Sequence, residues 1–406
     1  MSVISTITRV PPRPAPQGGD TDRFAQALVR LLRRYGAPAH RLEIAMAAFS
    51  TRMGLSAAWH VFPTSILTST GQGPVFMLDA EPDDTDLGRL CAVDAVAQGV
   101  AAGRLSAADG LVALDRIASA PPRIGPVIDA LAWAGASASA ALFFGGGPAE
   151  GAVAGGVGLL AWGIAQVGHL SRNALGEVVT ATLGALTVHA VPGISAEPAL
   201  LGGLVGLYPG LRLTTGMTDL ATRHLVSGSG GLSSAAVTLL QLGFGVALGT
   251  RLGSAWFGAA GGTPAVVPAW SEPVGLALGA MAFAVLLRAR WEHVPQIGLA
   301  CLVAFFGDRF GAQVLSGELG GGLAAFALTL LSNGLARALD RPAAVTQVPG
   351  IWLLVPGSLG FRAVQALLEQ DVVHGVSAAF STALSAMALV AGTLLANAVV
   401  PPRRTL

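Results

Sequence analysis

Two stretches of this 406-residue chain concentrate helix-breaking and polar residues inside otherwise apolar sequence. The first, residues 208–224, reads YPGLRLTTGMTDLATRH, and the second, residues 348–360, reads VPGIWLLVPGSLG. Proline lacks an amide donor and a neighbouring glycine loosens the helix. Carbonyls and amides therefore come free at Pro209-Gly210 and at the pairs Pro349-Gly350 and Pro356-Gly357. Thr214, Thr215 and Thr218 add hydroxyls to the first break and Asp219 a carboxylate, while Ser358 adds a hydroxyl to the second. Carbonyls and Asp219 suit an ammonium group, and amides at helix N-termini suit a carboxylate. Two such breaks facing each other would hold a small zwitterion. Asp219 is also the leading candidate for exchanging protons, because a carboxylate at membrane depth is a natural relay. The competing reading is a plain salt bridge to Arg212 or Arg223 in a loop.

Other groups offer weaker chemistry. Glu177 and Glu318 form a second candidate proton pair, with capping at the start of a span as the alternative. His189 reads as a hydrogen-bonded packing residue. His40 and Glu43 lie three apart on one helix and share a face, and His60 falls on a strand. Together they would make a metal or acid–base site, against the plainer reading of a salt-bridging pair at a domain interface. No second ligand pair at metal spacing and no nucleophile elbow accompanies them, so no metal and no cofactor is expected.

The elements that carry these groups follow from composition. Hydrophobic residues make up 52% of the chain and charged residues 12%, about half the usual share. Mean hydropathy is +0.63. The charge is uneven: 23 of the first 125 residues carry it, against 24 of the remaining 281. A soluble head fused to a membrane body follows, and a purely cytosolic protein is excluded. All 24 basic residues are arginine, which excludes Schiff-base chemistry and a P-loop lysine. A net charge of +1 gives no reason to expect nucleic acid. Cys91 and Cys301 suggest neither a disulfide framework nor a thiolate site.

Residues 1–19 read as a disordered tail without the apolar core of a signal peptide. Residues 20–125 read as an α+β domain. A helix capped by Asp20 stops at Gly36, and a second runs from about Ala39 to Gly54. Three short strands follow in SAAWHVF, TSILTST and PVFML, then a helix opened by the acidic run Glu81 to Asp86. A last helix is capped by Ser106 and Asp109.

From residue 126 the chain reads as ten apolar spans, near 127–144, 150–169, 174–193, 197–213, 232–250, 273–290, 294–308, 319–337, 343–362 and 377–399. With the head in the cytoplasm, Arg172, Arg212, Arg223, Arg288, Arg290, Arg337, Arg341, Arg403 and Arg404 fall on that side. Only Arg251, Arg309 and Arg362 fall opposite, as the positive-inside rule requires, so both termini are expected in the cytoplasm. Trp256, Trp270 and Trp291 sit near span ends, as interfacial aromatics do. The 54 glycines suit close helix packing.

Landmarks recur between residues 126–256 and 272–400. Gly176-Glu177 matches Gly317-Glu318, Pro209-Gly210 matches Pro349-Gly350, and Gly249-Thr250 matches Gly392-Thr393. Five spans per half invert the second half, a construction common among secondary transporters. The expected fold is an all-α polytopic membrane protein. Its ten transmembrane helices form two inverted five-helix repeats, with a small α+β cytoplasmic N-terminal domain.

The segments AHRLEIAMAAFSTRMGL, FPTSIL and LGRL…VDAVAQGV…GRLS…LDRI, in that order, resemble the threonine/serine exporter family. So do YPGLRLTTGMTDL and VPGIWLLVPGSLGFRAV, and the resemblance covers about residues 20–400. It implies a ten-span protein of the inner (plasma) membrane that exports threonine and serine on the proton motive force. Carried over by position, His40, Arg41 and Glu43 match the head motif. Pro209, Gly210 and Asp219 match the first membrane motif, and Pro349, Gly350, Pro356, Gly357 and Ser358 the second. One departure stands out: the Asn-Ala pair common in relatives is Thr215-Gly216 here. The expected partners are an amino-acid substrate, protons and the lipid bilayer, with a homo-oligomer left open. The alternative substrate is a dicarboxylate such as succinate, which would favour more cationic side chains at the site. A membrane-embedded enzyme is disfavoured because the spans hold few clustered polar groups.

Overall fold

The computed structural model describes residues 19–70, 74–80, 85–167, 175–258, 262, 267–315 and 317–402. The expected tail up to residue 18, residues 81–84 of the acidic run, Arg172, Arg403 and Arg404 lie outside the described residues. Among the described residues the chain is mostly helical with one small sheet.

The head opens with α1 (Asp20–Arg34) and α2 (Ala39–Arg52). Gly36 and Gly54 end them at φ +100° and +67°, backbone angles that suit glycine. Asp20 does not cap α1. Gly19 holds that position without a side-chain bond, and Asp20 and Asp22 instead place negative charge in the first turn. An antiparallel sheet of β1 (Ala57–Val61), β2 (Ser65–Thr70) and β3 (Val75–Asp79) follows in that order, with Trp59 opposite Thr68 and Thr68 opposite Phe76. In α3 (Leu87–Ala101) the cap is Asp86, which accepts the Arg89 amide at 2.8 Å. In α4 (Ala107–Ser119) Ser106 accepts the Asp109 amide at 3.0 Å. Phe24, Leu28, Leu32, Leu42, Met46, Ile66 and Leu114 are fully buried at the centre, each worth about 1.5–3 kcal/mol of transfer free energy. This core does not close on itself, for it continues into Leu287 and Ala344 of the membrane body.

The body begins with α5 (Pro126–Phe143), α6 (Pro148–Ala165), α7 (Gly176–Ala190), α8 (Ala196–Gly203), α9 (Gly210–Ala221) and α10 (Leu225–Phe257). A second set follows: α11 (Ser271–Leu286), α12 (Val294–Val314), α13 (Gly317–Leu339), α14 (Ala344–Leu354), α15 (Gly357–Leu368) and α16 (Val372–Val399). Among the described residues, six stretches are long and apolar enough to cross a bilayer: 126–143, 225–257, 291–314, 317–339, 344–368 and 372–399. Trp256 and Trp291 are each 68% exposed, at the end of α10 and just before α12.

The two sets pack alike. α7 packs on α10 as α13 packs on α16, and α9 crosses to α16 as α15 crosses to α10. Their directions relative to the head are opposite. α10 starts against the head, where the Ser227 hydroxyl donates to the Val61 carbonyl at 2.7 Å. The far end of α16 instead approaches the head, where Thr393 shares a cavity with head residues.

Both sets contain a broken helix. Pro209 stands before α9 at φ −79°, ψ 34°, and Pro356 before α15 at φ −81°, ψ 40°. In backbone conformation and position before a helix, Pro209-Gly210 resembles Pro356-Gly357, 147 residues further on, and not Pro349-Gly350. Pro349 lies inside α14, and Gly350 faces Leu328 so closely that a methyl there would fall 2.6 Å from its side chain. That pair serves tight helix packing, while the following Pro-Gly makes the break.

Candidate functional site

On α9 the helical repeat brings Thr214, Thr215 and Thr218 toward one side, with Asp219 one turn beyond Thr215. This side meets α2 of the head and α14 around a cavity of about 110 Å³. His40, Arg41, Thr85, Thr214, Thr215, Thr218, Gln347 and Thr393 supply its polar lining. The volume is below the roughly 300–1,000 Å³ of sites for drug-sized ligands, so it suits a small metabolite. The hydroxyls of Thr215 and Thr218 donate back to the carbonyls of Leu211 and Thr214, each at 2.8 Å. The Thr214 hydroxyl is buried and has no hydrogen-bond partner among the described residues. A buried polar group left in that state costs about 1–3 kcal/mol until something bonds it.

Head and body are joined here by two histidine–carboxylate pairs. His40 Nδ1 lies 2.8 Å from Asp219 Oδ1, and His224 Nε2 lies 3.2 Å from Glu43 Oε2. The two rings are 6.5 Å apart. Glu43 also accepts the Val61 amide at 2.7 Å, tying the helix to β1. The Arg41 guanidinium donates to Gln347, whose amide donates to Thr329 at 3.2 Å. Burial pushes the Arg41 guanidinium down to about 10, a measure of how far it is removed from water. Burial also lowers Arg33, with the charge of Asp219 opposing the shift, and Arg33 donates to the Pro63 carbonyl at 3.1 Å.

A second cavity, about 310 Å³, lies on the other side of the breaks and is lined by Tyr208, Gly357 and Ser358. Leu211 lines both cavities. Between them the two breaks touch. A methyl on Gly210 would come within 2.5 Å of Val355 and 3.3 Å of Gly357, and one on Gly357 within 2.9 Å of Tyr208.

The residues singled out in the sequence separate as follows. Thr214, Thr215 and Thr218 reach the first cavity, Gly357 and Ser358 the second, and Pro209 and Pro356 cap the helices between them. Asp219 does not line the first cavity, since His40 stands at the wall and holds it from behind. Glu177 and Glu318 occupy the first turns of α7 and α13 and line neither cavity, with Glu318 accepting from Ser381 at 3.2 Å. His189 bonds the Ala185 carbonyl at 2.9 Å. His60 is exposed on β1, and among the described residues no three His, Cys, Asp or Glu side chains gather to hold a metal. Sequence reasoning passed over Gln347 and His224. Gln347 is a lone amide entering an apolar span, which is a detectable signal, whereas His224 gains meaning only from Glu43, 181 residues away.

Comparison with known proteins accords with this architecture. Residues 23–253 match the profile of the threonine/serine exporter family, and residues 273–399 match a second profile, "Threonine/Serine exporter, ThrE". "Pheromone-regulated membrane protein 10" of Kluyveromyces lactis is 25% identical over 83% of this chain and 37% of its own length. The protein of the same name from Eremothecium gossypii is 24% identical over 90% of this chain and 52% of its own. This chain thus spans about half or less of these curated relatives. No solved structure matches it. With two exporter profiles covering the head and both sets of membrane helices, this chain belongs to the threonine/serine exporter family.

Proposed function

We propose that this multi-pass membrane protein is a secondary transporter that exports threonine and serine across the inner (plasma) membrane by proton antiport. The observation that carries the reading is the seam at Gly210 and Gly357. Two broken helices meet there with a cavity on either side, and Leu211 lines both. A substrate site at broken helices between two related halves is the arrangement of many secondary transporters.

The ten-span reading treats α8–α9 and α14–α15 as one interrupted span each. The halves are residues 126–256 and 272–400, inverted relative to each other. The opposite directions of α10 and α16 relative to the head support the inversion. The head, residues 20–125, is assigned to the cytoplasm, with both termini on that side.

In the cavity beneath the head, Arg41 takes the substrate carboxylate and Thr214 its hydroxyl, Thr214 having no partner of its own among the described residues. Asp219 exchanges the coupling proton, with His40 as the contact between it and the cavity. Substrate would leave through Tyr208 and Ser358 once the seam between Pro209-Gly210 and Pro356-Gly357 shifts.

A second reading, a dicarboxylate such as succinate, is favoured by one observation: the head brings Arg41 into a cavity whose span residues supply no cation. A single guanidinium matches one carboxylate, so the amino acid fits better. Uptake of labelled threonine into inside-out vesicles, with and without an imposed proton gradient, tests the reading. Gradient-driven accumulation that serine competes away and succinate does not is the expected result. Uptake of succinate alone would transfer the architecture to the second substrate, and uptake of neither would end the transporter reading.

A further inference from the structure

At the end of the bundle away from the head, α7, α8, α15 and the last turns of α10 enclose a third cavity, about 600 Å³. Its distance from the head follows from α10. Ser254 lines it and lies 27 residues along the helix from Ser227, the residue bonded to the head, which is about 40 Å at 1.5 Å per residue.

Part of the lining of this cavity corresponds to part of the lining of the cavity beneath the head. At the spacing of 147 that relates Pro209 to Pro356, Thr215 corresponds to Arg362, Thr218 to Gln365, and Ala344 to Glu197. At the spacing of 143 that relates Gly249 to Gly392, Thr250 corresponds to Thr393. Both members of every pair line their respective cavities. What differs is the cover and the charge. His40 and Arg41 of the head close the first cavity, and no such element lines the far one among the described residues. Arg362 Nη2 lies there 3.0 Å from Glu197 Oε1, with the two side chains 42% and 69% exposed.

We propose that the far cavity is the release site for the same zwitterionic amino acid, with Arg362 taking its carboxylate and Glu197 its ammonium. An amino acid carries the two charges that this pair presents to each other. It can enter between them and leave neither unpaired. An ion pair so exposed is worth about 0–1 kcal/mol, so the ligand displaces it at little cost and is held weakly, as a release site requires. The identity of the ligand rests on the exporter reading, while the location of the site rests on the corresponding lining positions alone.

The test uses the full chain with Cys91→Ser and Cys301→Ala, plus Ser254→Cys, in membrane vesicles of both orientations. A membrane-impermeant maleimide should label Cys at 254 only from the side opposite the head. Threonine at about ten times the concentration that half-fills the far site, found by titrating the protection, should slow labelling about tenfold by mass action. Adding Arg362→Gln should remove that protection. Thr250→Cys, one turn away, repeats the readout if the first variant inserts poorly. Labelling from the head side, or labelling that threonine does not slow, overturns the proposal. Threonine transport measured in the same vesicles separates the two readings. Transport without protection removes the far site alone, protection without transport removes the exporter reading alone, and loss of both removes both.

Discussion

His40 Nδ1 lies 2.8 Å from Asp219 Oδ1 across 179 residues of chain. The contact anchors to the body the head histidine that lines the cavity, with Asp219 behind the wall. Arg212, the loop partner that proximity in sequence suggests for Asp219, instead donates to Ser234 at 3.3 Å.

Replacing Asp219 by Asn keeps the shape and removes the proton. Coupled transport should fall about 10²-fold or more, the scale of a lost proton-transfer group, with the protein still inserted and folded. Gradient-driven threonine uptake and the melting profile in detergent check the two halves of the statement. Unchanged uptake with unchanged pH dependence removes Asp219 from coupling.

The two histidine–carboxylate pairs should act as a joint between head and body. His40→Gln with Glu43→Gln should cost more than either change together with its own partner's. A coupling of about 0.5–1 kcal/mol within each pair in double-mutant cycles is expected. Deleting residues 1–125 should leave the membrane helices inserted but expose Leu287 and Ala344, seen as deregulated transport and lower solubility in detergent.

At the seam, Gly357→Ala should destabilise the protein by about 1–3 kcal/mol, because the new methyl meets Tyr208 at 2.9 Å and backbone of Gly210 at 3.3 Å. Gly163→Ala on α6, where nothing lies within 4 Å, is the matched control and should be neutral. Thermal unfolding of both variants in one detergent makes the comparison. Equal stability would show that the breaks do not pack as described.

Thr214→Val removes a buried hydroxyl that has no partner among the described residues, so stability should hold or rise slightly. Preference for threonine over 2-aminobutyrate, which lacks the hydroxyl, should fall about tenfold, the equivalent of one hydrogen bond. Competition between the two labelled substrates reads this directly.

Arg41 should set affinity and not pH dependence. Its guanidinium, pushed by burial from its ordinary value down to about 10, stays charged through neutral pH in both folded and unfolded chains. The unfolded chain binds the extra proton only above about pH 10, so this residue adds stability as pH rises past that point and no slope below it. Arg41→Gln should raise the half-saturating threonine concentration by about tenfold or more at any pH from about 6 to 8. A pH-dependent loss would point to another group as the carboxylate partner.

Much of the fold was legible because its signals are local. Glycines at Gly36 and Gly54, the caps at Asp86 and Ser106, and alternating strand residues around Trp59 act within a few residues of themselves, and the elements form where they point. The second break was misread between two Pro-Gly pairs. A proline such as Pro349 is tolerated within α14, and nothing in VPGIWLLVPG says which pair will open.

The sequence by itself determined a charged head, an apolar body, two Pro-Gly-rich stretches and the threonines beside the first. Composition and periodicity act along the chain and can be read there. Only the tertiary structure decided that His40 holds Asp219, that Glu43 holds His224, that Arg41 closes the cavity, and that Gly210 meets Gly357. Each of these joins residues at least 147 positions apart. Their distances depend on how whole helices pack, and no local pattern encodes that.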